Sequence, residues 1–239
     1  MSHVHMTLQG KGGVGKSMIA SFIGQYLLDH SRPLLAIDTD PVNATLAAFN
    51  RLNTRTVELL QGSQIDGAAF DTVVDLILDS EADAVVDNGA SSFIPLSNYL
   101  IENPVVATLE AHGRTVIVHS VITGGSALLE TLDGFRQVAA NLSPSVGIVV
   151  WLNEFFGPIE DRGKGFAEMK TFQDMRERVR GIVTLPRRTL ETFGRDVREM
   201  TERHLTFTEA IADGAFRLMA KQRLKMVRDD IYAQLAPLV

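Results

Sequence analysis

One segment near the start of the chain constrains the fold more than any other. Residues 10–17 read Gly-Lys-Gly-Gly-Val-Gly-Lys-Ser and satisfy the pattern G-x-x-x-x-G-K-[S/T]. A short apolar run precedes them, and a helical pattern with apolar residues at spacings of three and four follows. Glycines let backbone amides turn inward around phosphate oxygens, and the helix N-terminus adds further free amides. A chance glycine loop is the competing interpretation, but the flanking strand and helix favour a nucleotide-binding loop.

The residues of this loop have distinct predicted roles. Lys16, a candidate catalytic residue, supplies a positive charge for the β- and γ-phosphates of a nucleotide, and Ser17 supplies a hydroxyl for Mg²⁺. The other predicted nucleotide contacts are Gly10, Lys11, Gly12, Gly13, Val14, Gly15 and Met18. The loop therefore predicts that a nucleotide binds together with Mg²⁺.

The rest of the chain alternates strand-like apolar runs with helical patterns. Strands are predicted at residues 3–8, 34–37, 84–87, 105–109, 115–122, 146–152 and 181–185. Helices are predicted at about residues 16–30, 42–50, 67–80, 127–140, 166–178 and 215–235. This alternation indicates an α/β fold, with a mostly parallel sheet of about seven strands flanked by helices on both faces. Without a linker or an internal repeat, residues 1–239 are predicted to form a single domain.

Composition excludes several classes of protein. The chain has no cysteine, which rules out a disulfide scaffold, a cysteine nucleophile and a thiolate metal site. Its 23 basic and 29 acidic residues give a formal net charge of -6, and the excess of acid lies in residues 1–150. A surface for polyanions is therefore expected only in residues 151–239. The apolar runs are too short to span a bilayer, and the N-terminus lacks signal-peptide features, so we expect a cytoplasmic protein without stable membrane insertion.

Three carboxylates follow predicted strands. Asp38 and Asp40 lie two residues apart at the end of the strand at 34–37, so both can face a ligand at the carboxyl edge of the sheet. Asp87 closes the apolar strand at 84–87, which is the Walker B pattern associated with Mg²⁺. Either Asp38 or Asp40 could instead merely cap the following helix.

Together these motifs resemble the ParA/MinD family of P-loop ATPases. Residues 11–17 are similar to the family's deviant Walker A loop, and residues 38–45 are similar to its switch I segment. The resemblance implies that Lys11 reaches across a dimer interface to the partner's nucleotide. It also implies that Asp38 organises Mg²⁺ through water and that Asp40 positions or polarises the attacking water. For Lys11, a solvated loop lysine is the alternative.

The resemblance also suggests where the base lies. In similar proteins the ends of two strands flank adenine, and here the corresponding positions carry Asn153 and Pro186. A GTPase would be expected to show N-K-x-D, whereas Asn153 is followed by Glu-Phe-Phe, which favours ATP. The residues after Asp87 read Asn-Gly-Ala-Ser and depart from the D-x-P-P pattern of many relatives.

Further strings along the chain resemble the TraL proteins of plasmid conjugal transfer, which are small ATPases of the same family. Such strings occur at residues 149–153, 157–160, 194–196 and 222–225. The resemblance implies an ATP-dependent homodimer that acts on a conjugation or secretion-system protein. A small-molecule phosphoryl transferase or ligase is a further alternative.

A partition-type ATPase that binds DNA as a dimer and segregates plasmid DNA is another alternative. Its candidate DNA surface is Arg176, Arg178, Arg180, Arg187, Arg188, Arg217, Lys221, Arg223, Lys225 and Arg228. Acidic residues interleave with these, which favours a solvated helical face over DNA binding. The C-terminal helix could lie on a membrane surface, but its apolar residues favour packing on the sheet.

Overall fold

A computed structural model describes residues 2–40, 43–61 and 64–239 of the chain. Its strands are β1 (Ser2–Thr7), β2 (Leu34–Asp38), β3 (Arg55–Thr56), β4 (Leu60–Gln61), β5 (Gln64–Ile65), β6 (Asp83–Asp87), β7 (Arg114–Thr123), β8 (Gly147–Asn153), β9 (Glu160–Asp161), β10 (Lys164–Gly165) and β11 (Val179–Leu185). Its α-helices are α1 (Lys16–Asp29), α2 (Ala69–Leu78), α3 (Phe93–Glu102), α4 (Val105–Ala111), α5 (Leu128–Asn141), α6 (Lys170–Met175), α7 (Arg195–Glu202), α8 (Phe207–Ala212) and α9 (Leu218–Leu235).

Seven strands of the described residues form a parallel sheet in the order β11-β8-β7-β1-β6-β2-β3. The predicted α/β fold with a parallel sheet of about seven strands is confirmed. The short pairs β4-β5 and β9-β10 form separate antiparallel hairpins. Because β1, β6 and β2 are adjacent and parallel, the segments that follow them emerge side by side at one edge of the sheet.

Helices cover both faces of the sheet, because alternate residues of each strand point to opposite sides. Val4 and Met6 of β1 contribute to one core, which includes side chains of α2 to α6. Trp151 of β8 contributes to the other core, which includes side chains of α1 and α7 to α9. Helix α9 buries Ala220, Leu224, Val227, Ile231 and Leu235. The expectation that the C-terminal helix packs on the core is therefore confirmed.

Two predicted elements differ from the structure. Residues 105–109, predicted as a strand, belong to helix α4. Pro104 sits at its N-cap, and Val105 and Leu109 are buried four residues apart on one helical face, so packing overrides the strand propensity of the β-branched residues. The predicted helix at 42–50 is also wrong in the part described, where two 3₁₀ turns at Leu46–Ala48 and Asn50–Leu52 replace it. Residues 41 and 42 lie outside the described residues.

The 3₁₀ turns have a simple origin in the sequence. Leu46, Phe49 and Leu52 are all buried, and their spacing of three matches the three residues per turn of a 3₁₀ helix. The predicted helix at 166–178 is similarly divided, with α6 between the 3₁₀ turns Phe166–Glu168 and Arg176–Arg178. Helices α3, α7 and α8 were not predicted from the sequence.

A buried ion pair joins α7 to α9. The Nε of Arg223 donates to Oδ2 of Asp196 at 2.5 Å, and the Asp196 side chain is only 3% exposed. These two residues come from the strings at 194–196 and 222–225 that carry part of the resemblance. The pair therefore gives those strings a structural role, which is to hold two helices together over the sheet.

Two fully buried histidines form a hydrogen-bonded chain across three strands. Nε1 of Trp151 donates to Nδ1 of His119 at 2.9 Å, and Nε2 of His119 lies 3.0 Å from Nδ1 of His5. Because an indole only donates, His119 carries its proton on Nε2 and donates it to His5. Burial lowers the pKa of His119 to about 3, with a further contribution from Arg180, and burial also lowers the pKa of His5 well below its ordinary value. Both rings are therefore neutral in the folded protein.

Replacing Arg223 by methionine should destabilise the fold. The change leaves the buried Asp196 carboxylate with only the exposed Arg195, whose Nε lies 3.8 Å from its Oδ1, and should cost about 3 kcal/mol of unfolding free energy. Urea denaturation measures this loss. Arg136→Met is the matched control, because Arg136 pairs with Asp133 at the surface, where both side chains are at least half exposed, and the loss there should stay under about 1 kcal/mol. Equal losses in the two variants would contradict a structural role for the buried pair.

The histidine pair should make stability fall as the medium is acidified. The unfolded chain protonates histidine below about pH 6.5 whereas the folded protein does not, so each ring costs about 1.4 kcal/mol per pH unit below that value. At pH 5 the His119 ring, with a folded-state pKa of about 3, should cost roughly 2 kcal/mol, and His5 should add to this cost. Urea unfolding between pH 8 and pH 5 measures the slope. His119→Gln should make the slope shallower, and the exposed control His112→Gln should not. A slope that His119→Gln leaves unchanged would refute the assignment.

Candidate nucleotide-binding site

The glycine-rich loop connects β1 to α1 at the carboxyl edge of the sheet. Gly13 and Gly15 adopt left-handed backbone conformations, with φ of +74° and +103°, which side chains rarely adopt. Gly15 is the N-cap of α1, so the free amides of the first helical turn follow the loop directly. The predicted succession of strand, glycine loop and helix is confirmed.

The ammonium group of Lys16 lies within the loop. The Lys16 side chain is buried, and its Nζ donates to the backbone carbonyl of Lys11 at 3.2 Å. Burial lowers the pKa of Lys16, while the nearby charges of Asp87 and Asp40 raise it. A buried cation beside backbone amides at a helix N-terminus favours an anionic ligand.

Asp87 ends β6 between the loop and the next strand. Its Oδ1 accepts a hydrogen bond from the Thr7 hydroxyl at 2.9 Å, and its Oδ2 is buried without a hydrogen-bond partner in the described part of the chain. Burial raises the pKa of Asp87 to about 6, against the lowering effect of the Ser17 hydroxyl. The carboxylate therefore has a free, desolvated oxygen beside the loop.

Asp38 lies next to Asp87 in the register of β2 with β6. Its Oδ1 accepts the backbone amide of Asp40 at 3.0 Å, and its Oδ2 accepts the amide of Ala47 at 3.1 Å. Burial raises the pKa of Asp38, and these amides partly offset the shift. The carboxylate thus shapes the segment that follows β2, including the position of Asp40.

Asp40 approaches the segment that follows β6. Its Oδ1 accepts the amide of Asn43 at 3.1 Å. A methyl group added at Gly89 would lie only 2.8 Å from the Asp40 carboxyl carbon, so a side chain there would displace this carboxylate. Asp40 and Asp87 both lie close enough to Lys16 for their negative charges to raise the pKa of its ammonium group.

The donor set at this edge fits a hard divalent cation. The free Oδ2 of Asp87 and the hydroxyl of Ser17 are oxygen ligands of the kind that Mg²⁺ prefers. Within residues 2–40, 43–61 and 64–239, no cluster of three or more histidine or acidic side chains could hold a metal by itself. A cation here would therefore need phosphate and water oxygens as additional ligands, as is usual for Mg²⁺ with nucleotides.

A cavity of about 300 Å³ opens beside the glycine loop. Gly15 and Met18 line its side nearest the loop, and Asn153, Phe155 and Pro186 line the side formed by the ends of β8 and β11. The sequence-predicted base contacts Asn153 and Pro186 are thus both at the cavity wall. The aromatic residue Phe155 was not predicted, although two consecutive phenylalanines after a strand end are a recognisable signal for a binding surface.

Asn153 also fixes the loop. Its Nδ2 donates to the backbone carbonyl of Val14 at 3.0 Å, and its Oδ1 accepts the amide of Phe155 at 3.2 Å. The side chain therefore ties the end of β8 to the glycine loop, and its amide group is already engaged on both sides. Asn153 therefore has a structural role in holding the loop, in addition to its predicted contact with the base.

Lys11 points along the surface towards α5. Its Nζ lies 2.8 Å from Oε2 of Glu130, and the two side chains are 40% and 60% exposed. Glu130 was not predicted, because nothing in the local sequence links the first turn of α5 to a loop more than a hundred residues earlier. The predicted partner-facing lysine is therefore at the surface and engaged within its own chain.

Several of the basic residues considered for DNA binding are engaged within the chain. Arg188 pairs with Asp230, Arg228 pairs with Asp229, and Arg178 donates to two backbone carbonyls. Arg223 makes the buried pair described above. None of the helices in the described ranges has the length and hydropathy needed to cross a membrane.

The sequence matches one family profile, described as the CobQ/CobB/MinD/ParA nucleotide binding domain, over residues 5–207. Two Escherichia coli proteins named TraL are each 48% identical to the chain over 235 residues, which cover 98% of both proteins. Solved structures of similar fold include the MinD cell division protein of Aquifex aeolicus, with 17% identity, a TM-score of 0.53 and coverage of 100% of this chain and 98% of that chain.

A putative plasmid partition protein from Borrelia burgdorferi B31, bound to AMPPNP, has 16% identity and a TM-score of 0.54 over 100% of both chains. These two structural likenesses establish the fold. The profile match spans most of the sequence, and the TraL match spans nearly all of it. The chain therefore belongs to the CobQ/CobB/MinD/ParA family of nucleotide-binding domains and, within it, to the TraL proteins.

Proposed function

We propose that this protein is a Mg²⁺-dependent ATPase that dimerises around ATP and acts as a nucleotide-timed switch in conjugative plasmid transfer. Membership of a nucleotide-binding family supports the first part, and the identity to TraL supports the role in transfer. The observation that carries the proposal is the meeting of Lys16, Asp40 and Asp87 at the glycine loop, where one buried carboxylate oxygen has no hydrogen-bond partner among the described residues.

The loop residues 10–17 would bind the phosphates of ATP. Lys16 donates to a carbonyl of its own loop at 3.2 Å, a weak contact that a phosphate oxygen would replace with a charge-assisted hydrogen bond. Met18, Asn153 and Pro186 would border the base in the adjoining cavity. The cavity and the loop are contiguous, because Gly15 lines both, so one nucleotide can occupy them together.

Ser17, Asp38 and Asp87 are the residues that we propose to hold Mg²⁺. When bound, the ion would neutralise negative charge that develops on the phosphate oxygens. Asp87 offers its free Oδ2 and Ser17 its hydroxyl oxygen. Asp38, whose two oxygens each accept a backbone amide, would act through water and through the shape of the segment that it organises.

Three residues would act on the reaction itself. Asp40, half-buried and beside Gly89, would accept a hydrogen bond from the attacking water and so orient it. Lys16 would stabilise charge on the transferred phosphoryl group. Lys11 would leave Glu130 and supply a second cation to the nucleotide of the partner subunit, as the deviant Walker A interpretation of the loop requires.

Replacing Lys16 by alanine should abolish tight binding of ATP. The loss removes a charge-assisted hydrogen bond of roughly 1.5–3 kcal/mol, which corresponds to a roughly tenfold to hundredfold rise in Kd. Titration with a fluorescent ATP analogue measures the change in Kd. Mating assays measure plasmid transfer from cells that carry the same variant. Lys170→Ala, at an exposed position on α6, is the control and should bind normally. Unchanged affinity in Lys16→Ala would overturn the site assignment.

Replacing Asp40 by alanine should trap the ATP-bound dimer. Without the carboxylate that orients water, turnover should fall about 10²–10⁴-fold, whereas ATP binding should persist because the phosphate-binding loop is unchanged. Phosphate release measures turnover, and light scattering with ATP measures dimers. Glu81→Ala removes an exposed acid elsewhere and should behave as the unmodified protein does. Undiminished turnover would remove Asp40 from catalysis.

A further inference from the structure

A buried polar cluster joins the segments that follow β1, β2 and β6. Its members are the side chains of Thr7, Thr39, Asp87 and Asn88, each no more than 2% exposed. The sequence predicts a role only for Asp87 among these four residues, and Asn88 occupies the unrestricted position of the D-x-P-P pattern, from which the chain departs at Gly89. Asn88 is therefore a buried polar side chain to which the proposed mechanism of ATP hydrolysis assigns no role.

Asn88 makes contact with both neighbouring strands. Its Nδ2 donates to the backbone carbonyl of Thr7 at 3.1 Å, and its backbone amide donates to the Thr7 hydroxyl at 3.2 Å. On the other side, the Thr39 hydroxyl donates to Oδ1 of Asn88 at 2.9 Å. The side chain thus has both its amide and its carbonyl engaged, and it links the ends of β1 and β2 through the segment after β6.

The link between Thr39 and Asn88 is reinforced by the backbone. The amide of Thr39 donates to the carbonyl of Asp87 at 2.9 Å, and the Thr39 hydroxyl lies 3.1 Å from the same carbonyl oxygen. A buried hydroxyl or amide that loses its partner keeps the full penalty of desolvation. The segments after β2 and β6 therefore separate only at a large cost at this point, and they are expected to move together.

The position of this link matters for the proposed reaction. Thr39 immediately precedes Asp40, and Asn88 immediately precedes Gly89. Asp40 and Gly89 are the two residues whose close approach places the proposed water-orienting carboxylate, with only 2.8 Å from the Asp40 carboxyl carbon to a methyl group built at Gly89. The hydrogen-bonded pair of Thr39 and Asn88 lies one residue before each of them and joins the two segments directly beside this close approach.

We propose that Thr39 and Asn88 are positioning residues that couple the segment carrying Asp40 to the segment after Asp87, so that both respond as one unit to the nucleotide. This inference rests on the proposed ATPase function. It assigns a role to the Asn-Gly sequence after Asp87, because asparagine supplies an acceptor for Thr39 and a donor for Thr7 in one side chain.

Thr39→Val tests the link, because it removes the hydroxyl and nearly preserves the shape of the side chain. We expect kcat for ATP to fall about tenfold or more while KM stays within about twofold, since the water-orienting geometry changes and the phosphate-binding loop does not. Thr39→Ser keeps the hydroxyl and should restore kcat. Thr206→Val is the matched control, because Thr206 is also fully buried and hydrogen-bonded but caps α8 away from the candidate site.

Amide hydrogen exchange on the nucleotide-free protein tests the link between Thr39 and Asn88 by a measurement that does not depend on turnover of ATP. Thr39→Val should speed amide exchange in residues 88–92 as well as in the segment after β2, whereas Thr206→Val should leave both unchanged. Faster exchange confined to the segment after β2 would overturn the coupling, as would a kcat that falls equally in Thr39→Val and Thr206→Val. An unmodified protein that hydrolyses no ATP, yet shows coupled exchange, would instead overturn the proposed function.

Discussion

The parallel pairing of β1, β6 and β2 is the constraint on which the candidate site depends. Their register sets Thr7 beside Asp87 and Asp87 beside Asp38. These strands lie inside the sheet and are covered on both faces, so a shift of one residue would turn each carboxylate to the opposite face. The packing of the two cores therefore holds the glycine loop and the carboxylates at the same edge.

The charges at this edge are only partly balanced by the protein itself. Burial raises the pKa of Asp87 and Asp38 and lowers the pKa of Lys16, which means that burial disfavours the charged form of each group. A phosphate beside Lys16 and a divalent cation beside Asp87 would each favour the charged form. The electrostatics of the site are thus complementary to the combination of an anionic phosphate and a cation, more than to either alone.

The sequence was sufficient for the features that depend on local pattern. The glycine loop, the strand ends with Asp38 and Asp87, and the parallel sheet follow from residue types and spacings over short stretches. The contact of Thr39 with Asn88 joins residues 49 positions apart, and the pair of Lys11 with Glu130 is more distant still, so neither has a local signal. Residues 105–109 show that a local pattern can also mislead. Their β-branched residues predict a strand, but the segment after Pro104 forms a helix because its packing outweighs this strand propensity.

The ion pair between Lys11 and Glu130 does not conflict with a role for Lys11 in a partner subunit. Both side chains are substantially exposed, and exposed pairs of this kind contribute between 0 and about 1 kcal/mol. A nucleotide phosphate carries more negative charge than a single carboxylate, and the attraction to an ammonium grows with that charge. The pair with Glu130 therefore costs little to break, and in the proposed dimer a phosphate of the second subunit would compete with Glu130 for Lys11.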